Sequence, residues 1–402
     1  MRPASEAIVL APSWPGTTGG MDIATRSDVA AYDEFFKQVH LLVLSEKNPP
    51  KLMEDEFPRL NSRHIHISKK TLWNRFVRSL LHRSPSITLQ YRDLHNQAKS
   101  HLLQFRQEMD KTATPVIIIV SIPLNVFIPL VRKLFPRSLV ISHSHNVNSR
   151  AFAGMPYLGT LASRLAWAYE LSRIRRFERW VAAATDAFWT ISAHDRKDYR
   201  HLLGINADGV LGAYLDTDRF RGLPPGDPET IVHVGRIDLR KGRGISKFIE
   251  EAWPIIRQGR PSAKLLLAGS GTEIFDAPDQ GIVGMGFVEN ELEVLKQGMI
   301  FINPQIDGSG IQLKSIVAML SGRLLITSIT GSEGIAGRHP LHFFAGNDSG
   351  KLAELTLAAI EKPTSARETA QRGQEIARDA YDKQRFLEDA HNLLAKTLGH
   401  SG

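Results

Sequence analysis

The residues best suited to chemistry lie in one stretch, Ile231 to Gly242, which reads IVHVGRIDLRKG. Ile231, Val232 and Val234 form a short apolar run closed by Gly235, the pattern of a buried parallel strand that delivers the chain to a loop at its carboxyl end. Arg236 follows at once, and Lys241 comes five residues later. A planar guanidinium and a mobile ammonium behind a strand-end glycine suit a phosphate or pyrophosphate, because ligands of open α/β sheets bind outside the carboxyl ends of the strands. Taken alone, Arg236, Arg240, Lys241 and Arg243 read equally well as a solvated turn.

Two more strand-to-loop units follow at the spacing of a doubly wound domain. Lys264 to Ala268 is an apolar run ending in Gly269-Ser-Gly271, and Met299 to Asn303-Pro304 opens into Asp307-Gly308-Ser309-Gly310. The pattern after Gly310 predicts a helix from Ile311 to Leu320, closing on Ser321-Gly322. Glycines ahead of a helix let the backbone approach a ligand and aim free amides and the positive helix end at it.

The elements that must position these groups can be read outward from them. Glu6 to Ala11 reads as a first strand, running into Pro12…Gly19-Gly20 and then a helix carrying Ala24, Val29, Ala30 and Phe35; the paired glycines fit either a ligand-facing loop or a plain tight turn. Val39–Leu44, Pro115–Ser121 and Ser138–Val147 read as further strands. His143-Ser-His145 has the alternation of zinc ligands but no evident third and fourth partner, so no metal is expected. Arg164–Val181 reads as a helix with Leu165, Ala168, Leu171, Ile174, Phe177 and Val181 inward and Arg173, Arg175, Arg176 and Arg179 on a solvated face. Asp216-Thr-Asp218 reads as a capped turn ahead of Arg221–Pro228, where three prolines and two glycines mark a domain boundary. In Lys69–Arg83, Leu72, Trp73, Phe76, Val77, Leu80 and Leu81 share one helical face, with Arg75 and Arg78 off it. That pattern fits a basic helix in an anionic membrane interface, with Trp73 and Phe76 as anchors, or an ordinary surface helix.

The ordered set Gly235-Arg236, Lys241-Gly242, Pro261…Lys264-Leu-Leu-Leu-Ala-Gly-Ser-Gly271, Gly284-x-Gly286-Phe287-Val288, Gly308-Ser-Gly310-Ile-Gln-Leu-Lys314…Met319 and Gly331-Ser-Glu333-Gly334 resembles the donor domain of a retaining GT-B glycosyltransferase of family 4. The likeness is specific over about residues 230 to 345 and loose before them. It implies two Rossmann-like doubly wound parallel-sheet domains with a cleft between them: an acceptor domain over 1–220, a linker over 221–229, a nucleotide-sugar domain over 230–380, and a terminal helix over 381–402 packing back on the first. It also implies a catalytic set of His145 (from His145-Asn146-Val147), Arg236, Lys241 and Asp307. The donor-binding set it implies is Gly19, Gly20, Gly235, Arg236, Lys241, Gly269, Phe287, Val288, Gly308, Ser309, Gly310, Ile311, Gln312, Lys314 and Glu333. One departure stands out: the family carries a ribose-binding Glu where this chain has Val317, which leaves the nucleoside to Glu333 or to the backbone near Phe287 and Val288.

Composition bounds the rest. The chain has 402 residues, 42% of them apolar and 23% charged, enough for two full cores. It has no cysteine, which excludes disulfides and thiolate metal sites. Neither a signal peptide nor a spanning segment is evident, so a cytoplasmic protein, at most lining the inner face of a membrane, is expected. The net charge of +8 is carried entirely by the first half: residues 1–224 hold 30 Lys and Arg against 20 Asp and Glu. Between Arg59 and Arg106 there are ten cations and one acid, Asp93, a face that awaits phosphates. No aromatic platform or reading helix accompanies it, so nucleic acid is not the expected partner.

The expected function is therefore metal-independent, retaining transfer of a hexose from a UDP- or GDP-sugar to a glycan or polyprenyl-linked glycan, with no cofactor beyond that co-substrate. The alternative is a non-catalytic GT-B subunit with a degenerate donor site, which Val317 motivates.

Overall fold

The computed structural model describes residues 4–17, 19–50, 53–68, 84–110, 114–154, 160–237 and 242–399. The chain forms two compact units, one of residues 1–153, 157–214 and 383–402, the other of 154–156 and 215–382.

The first unit is built on β1 (Ala4–Ala11), β2 (Phe36–Ser45), β3 (Leu60–His66), β4 (Val116–Val120), β5 (Val140–Ser144), β6 (Ala187–Thr190) and β7 (Gly209–Val210), all parallel, in the order β3-β2-β1-β4-β5-β6-β7. β4 reads VIIIV and is buried at each position; a strand covered on both faces shows a continuous apolar run instead of alternation. Ile8, Leu10, Ile117 and Ile119 pack on one side with Leu102 and Phe105 of the helix His95–Glu108. Val9, Ile118 and Trp189 pack on the other with Val29 of the helix Gly20–Phe35 and Leu394 of the helix Lys383–Gly399.

The second unit carries β8 (Asp227–Val234), β9 (Lys264–Ala268), β10 (Ile282–Gly284), β11 (Gly298–Asn303), β12 (Leu324–Ser328) and β13 (Phe344–Gly346), again parallel, in the order β10-β9-β8-β11-β12-β13. Its core joins Ile231, Leu265, Ile300 and Ile326 to Trp253 and Ile256. In each sheet the strand order reverses once, between β1 and β4 and between β8 and β11. Such a reversal leaves a crevice at the carboxyl strand ends. Ile231 pairs with Ile300 and Val232 with Phe301, so the ends of β8 and β11 lie side by side at this switch point.

Several local expectations are corrected. β8 starts at Asp227, inside the expected linker 221–229. The helix after Gly310 starts at Leu313, not Ile311. The helix Leu161–Ala184 buries Glu170, Arg173, Ile174, Glu178 and Val181, whereas Leu165 is 65% exposed. Its inward face is charged because Glu170 pairs with Arg173 at 3.1 Å and both hold the Ser84–Ser86 turn, Glu170 through the Ser86 amide and Arg173 through the Ser84 carbonyl. Asp216 and Asp218 form a turn, accepting from the Arg219 amide and pairing with Arg221. Lys69–Arg83, with Trp73, Arg75, Phe76 and Arg78, lies outside the described residues, as does Lys241. Among the described residues no helix is long and apolar enough to cross a membrane.

Candidate active site

In the second unit the loops after β8, β9 and β10 are laced together by their backbones. Gly235 donates to the Ala268 carbonyl at 2.8 Å, Ile237 to Ser270 at 2.9 Å, and Gly269 to Gly286 at 2.7 Å. Gly269 has φ +127°, and a Cβ there would meet the Gly235 carbonyl oxygen at 2.5 Å, so only glycine allows this approach. Beyond Gly286 the Phe287 ring is 74% exposed, beside the half-buried Val288.

Gly235, at φ +149°, is covered by Lys314: a Cβ at 235 would lie 2.4 Å from Lys314 Cε and 3.0 Å from Nζ. Lys314 stands in the first turn of the helix Leu313–Leu320 and reaches back to the end of β8, where its Nζ donates to His233 Nε2 at 3.2 Å. His233 is buried, and its Nδ1 donates to the Ile302 carbonyl at 2.8 Å. Burial, then the charge of Lys314, pull its pKa down to about 3, so the ring is neutral at physiological pH. Arg236 is exposed and, among the described residues, makes no hydrogen bond or ion pair.

The start of the Leu313–Leu320 helix is clamped by buried polar groups. Asn303 Nδ2 donates to Ser315 Oγ at 2.8 Å, Ser315 Oγ donates to the Gly331 carbonyl at 2.6 Å, and Thr327 Oγ1 donates to the Asn303 carbonyl at 2.7 Å. These bonds fix the Gly308–Gln312 loop relative to the turn Thr330–Ser332, after which the half-buried Glu333 follows. Asp307, expected as a catalytic carboxylate, is 11% exposed and pairs with Arg243 at 3.0 Å. Arg243, which the sequence allowed equally as part of a solvated turn, engages that carboxylate. The structure thus brings Gly235, Gly269 and Lys314 together, with the Gly308–Gln312 loop just ahead of the Lys314 helix and Arg236 immediately after Gly235.

In the first unit, β1 runs into the loop ending at Gly19, whose φ is +88°, and Gly20 opens the helix Gly20–Phe35. Asp28, on that helix, is wholly buried and meets both histidines of β5 and its exit. Asp28 Oδ1 lies 3.1 Å from His143 Nδ1, and Oδ2 lies 2.9 Å from His145 Nε2. His143 Nε2 donates to the Leu211 carbonyl at 3.0 Å. Burial alone would raise the Asp28 carboxyl, but the charges and hydrogen bonds of His143 and His145 reverse this and hold it down at about 2. Burial lowers the His145 pKa, with Asp28 opposing. The expectation that the histidine pair has no further partner is overturned: one ligand-type atom from each of Asp28, His143 and His145 lies within 4.8 Å of the others, a donor set a divalent cation could use.

The segment after His145 is held by Glu178, which sequence reasoning missed. Its carboxylate accepts the amides of Asn148 at 2.8 Å and Ser149 at 3.3 Å, and the Tyr199 hydroxyl lies 3.3 Å away. Burial raises the Glu178 pKa to about 7, against the lowering effect of these hydrogen bonds. A signal did exist: Glu170 and Glu178 are the only acids in that Arg-rich helix.

Comparison with known proteins bears on the fold that carries these groups. The two-sheet architecture is the GT-B fold: the chain superposes on Anabaena HepE bound to UDP with TM-score 0.63 at 15% identity, over 97% of this chain and 100% of that one. It superposes on sucrose-phosphate synthase of Thermosynechococcus elongatus with TM-score 0.68 at 15% identity, over 99% and 100%. Residues 228–362 match the family model for Glycosyl transferases group 1. An uncharacterized 44.6 kDa protein in the cps region of Klebsiella pneumoniae is 23% identical over 170 residues, which are 39% of this chain and 44% of that relative's length. The fold is thus GT-B, and residues 228–362 carry the likeness to Glycosyl transferases group 1.

Proposed function

We propose that the protein is a retaining, metal-independent glycosyltransferase that moves a hexose from a UDP- or GDP-sugar to a glycan or lipid-linked glycan acceptor in cell-envelope polysaccharide synthesis, in the cytoplasm at the inner membrane face. The observation that carries the reading is the strand-end site of the second unit, where Lys314 is held against Gly235 beside Arg236 at the β8/β11 switch point. Departure of a nucleoside diphosphate needs positive charge that is in place before the bond breaks. A fixed ammonium, a guanidinium and helix-start amides supply it without a divalent ion. HepE, a structural neighbour, has been crystallised with UDP, and also with UDP and glucose, which favours a uridine donor. The cps-region relative favours a polysaccharide product. The basic first half favours an acceptor presented at an anionic surface, with Lys69–Arg83 as the contact. His145 is assigned to the transferred sugar, oriented by Asp28.

The test is hydrolysis and transfer from a panel of UDP- and GDP-hexoses in EDTA. Arg236→Ala and Lys241→Ala should each lower turnover about 100-fold with folding intact; undiminished turnover in both would reject the reading. A second reading, a non-catalytic subunit, draws on Val317 and on the pairing of Asp307 with Arg243. No calorimetric binding of UDP- or GDP-sugars, together with no turnover on any donor, would favour it.

A further inference from the structure

Within β8, Ile231, Val232 and Val234 are apolar and buried, and His233 is the exception among them. Burying an imidazole costs free energy unless both nitrogens are hydrogen-bonded. Both are, and the partners fix the tautomer: a carbonyl can only accept, so Ile302 places the proton on Nδ1 and leaves the Nε2 lone pair toward Lys314. A neutral acceptor holds the ammonium without cancelling its charge, as a carboxylate would. Arg243 shows the contrast, since its partner is Asp307. Gly235 supplies an independent observation, because its missing side chain makes the space that the Lys314 stem occupies.

We propose that His233 is a positioning residue, whose neutral ring holds the Lys314 ammonium over Gly235 for the diphosphate of the nucleotide sugar; this rests on the function proposed above. His233 itself does not reach the ligand. It acts by restricting Lys314, a side chain that otherwise gives up much rotamer freedom on binding a phosphate.

Calorimetric titration of the full chain with UDP and with GDP tests this. His233→Phe keeps the volume and loses the acceptor; it should weaken the better-bound diphosphate about tenfold while leaving affinity for the matching nucleoside unchanged. His233→Gln, which can give an N–H to Ile302 and an oxygen to Lys314, should recover most of the loss. In a Lys314→Met background His233→Phe should add nothing. If His233→Phe fails to fold, His233→Asn carries the same test, since it reaches the Ile302 carbonyl but stops short of Lys314. Equal weakening in the Lys314→Met background, or equal weakening of nucleoside binding, would mean that His233 only fills the core and would overturn the proposal. A wild-type chain that binds neither UDP nor GDP would overturn the function and the positioning role together.

Discussion

Glu178 offers a prediction in which sign and size both follow from the structure. Its carboxyl is buried beneath the segment that follows His145, and its pKa in the folded chain is about 7 against an ordinary 4.5. The folded state therefore binds more protons than the unfolded chain between these values. Stability contributed by this group is present below about pH 4.5 and is lost as pH rises through 7. At 1.36 kcal/mol per pH unit, the shift corresponds to about 3 kcal/mol. Glu178→Gln keeps an oxygen for the Asn148 and Ser149 amides and removes the titration. Urea unfolding of both chains at pH 5 and pH 8 isolates the effect, because the other groups titrate alike in each. The fall in stability from pH 5 to pH 8 should be roughly 2 to 3 kcal/mol larger in the wild type than in Glu178→Gln, because the unfolded carboxyl is already mostly ionised at pH 5. Parallel curves would refute the argument, since they would mean that the carboxylate is ionised at little cost where it stands.

Asp28 gives the opposite sign: its folded pKa of about 2 lies below the ordinary 3.8, so its contribution is present above pH 4 and lost as pH falls toward 2. Asp28→Asn removes the buried carboxylate that bridges His143 and His145 and should cost about 3 kcal/mol at pH 7 by urea unfolding; a neutral effect would show that this network contributes little to stability. Gly235→Ala adds a Cβ 2.4 Å from Lys314 Cε at a φ of +149°, and it should lower kcat/KM about tenfold as Lys314 is displaced; unchanged kinetics would place the diphosphate elsewhere. Leu165→Lys, at a position 65% exposed, should change stability by no more than about 0.5 kcal/mol, and a loss above about 2 kcal/mol would mean that this face is covered in solution.

Much of the fold was legible because buried parallel strands leave continuous apolar runs. Ile231–Val234, Leu265–Ala268 and Met299–Ile302 announced β8, β9 and β11, and the glycines after them marked where backbones approach. Gly235 and Gly269 were readable for that reason: a residue without a Cβ at a strand end has few other uses. The groups that arrange the site were harder to read. Asp28 stands 117 residues before His145 in the chain, and nothing in the period of its helix distinguishes a buried carboxylate from a solvated one. Glu178 was hidden by the arginines around it: Ile174 and Val181 are buried as expected, but the period put Leu165 inside as well and left the buried Glu178 unread. His233 passed as one residue of an apolar strand, although a lone imidazole between valines was itself a sign that two hydrogen-bond partners had to exist. Lys314 could be placed on a helix from its period, yet only the tertiary structure turns it back toward Gly235.

The most direct test of the central claim is a crystal structure of the chain with whichever of UDP or GDP binds. The account predicts diphosphate oxygens at hydrogen-bond distance, about 3 Å, from Lys314 Nζ and the Arg236 guanidinium, facing the amides of the Gly308–Gln312 loop. A nucleotide seated away from the ends of β8 and β11, with Lys314 still on His233 and no phosphate near it, would contradict it.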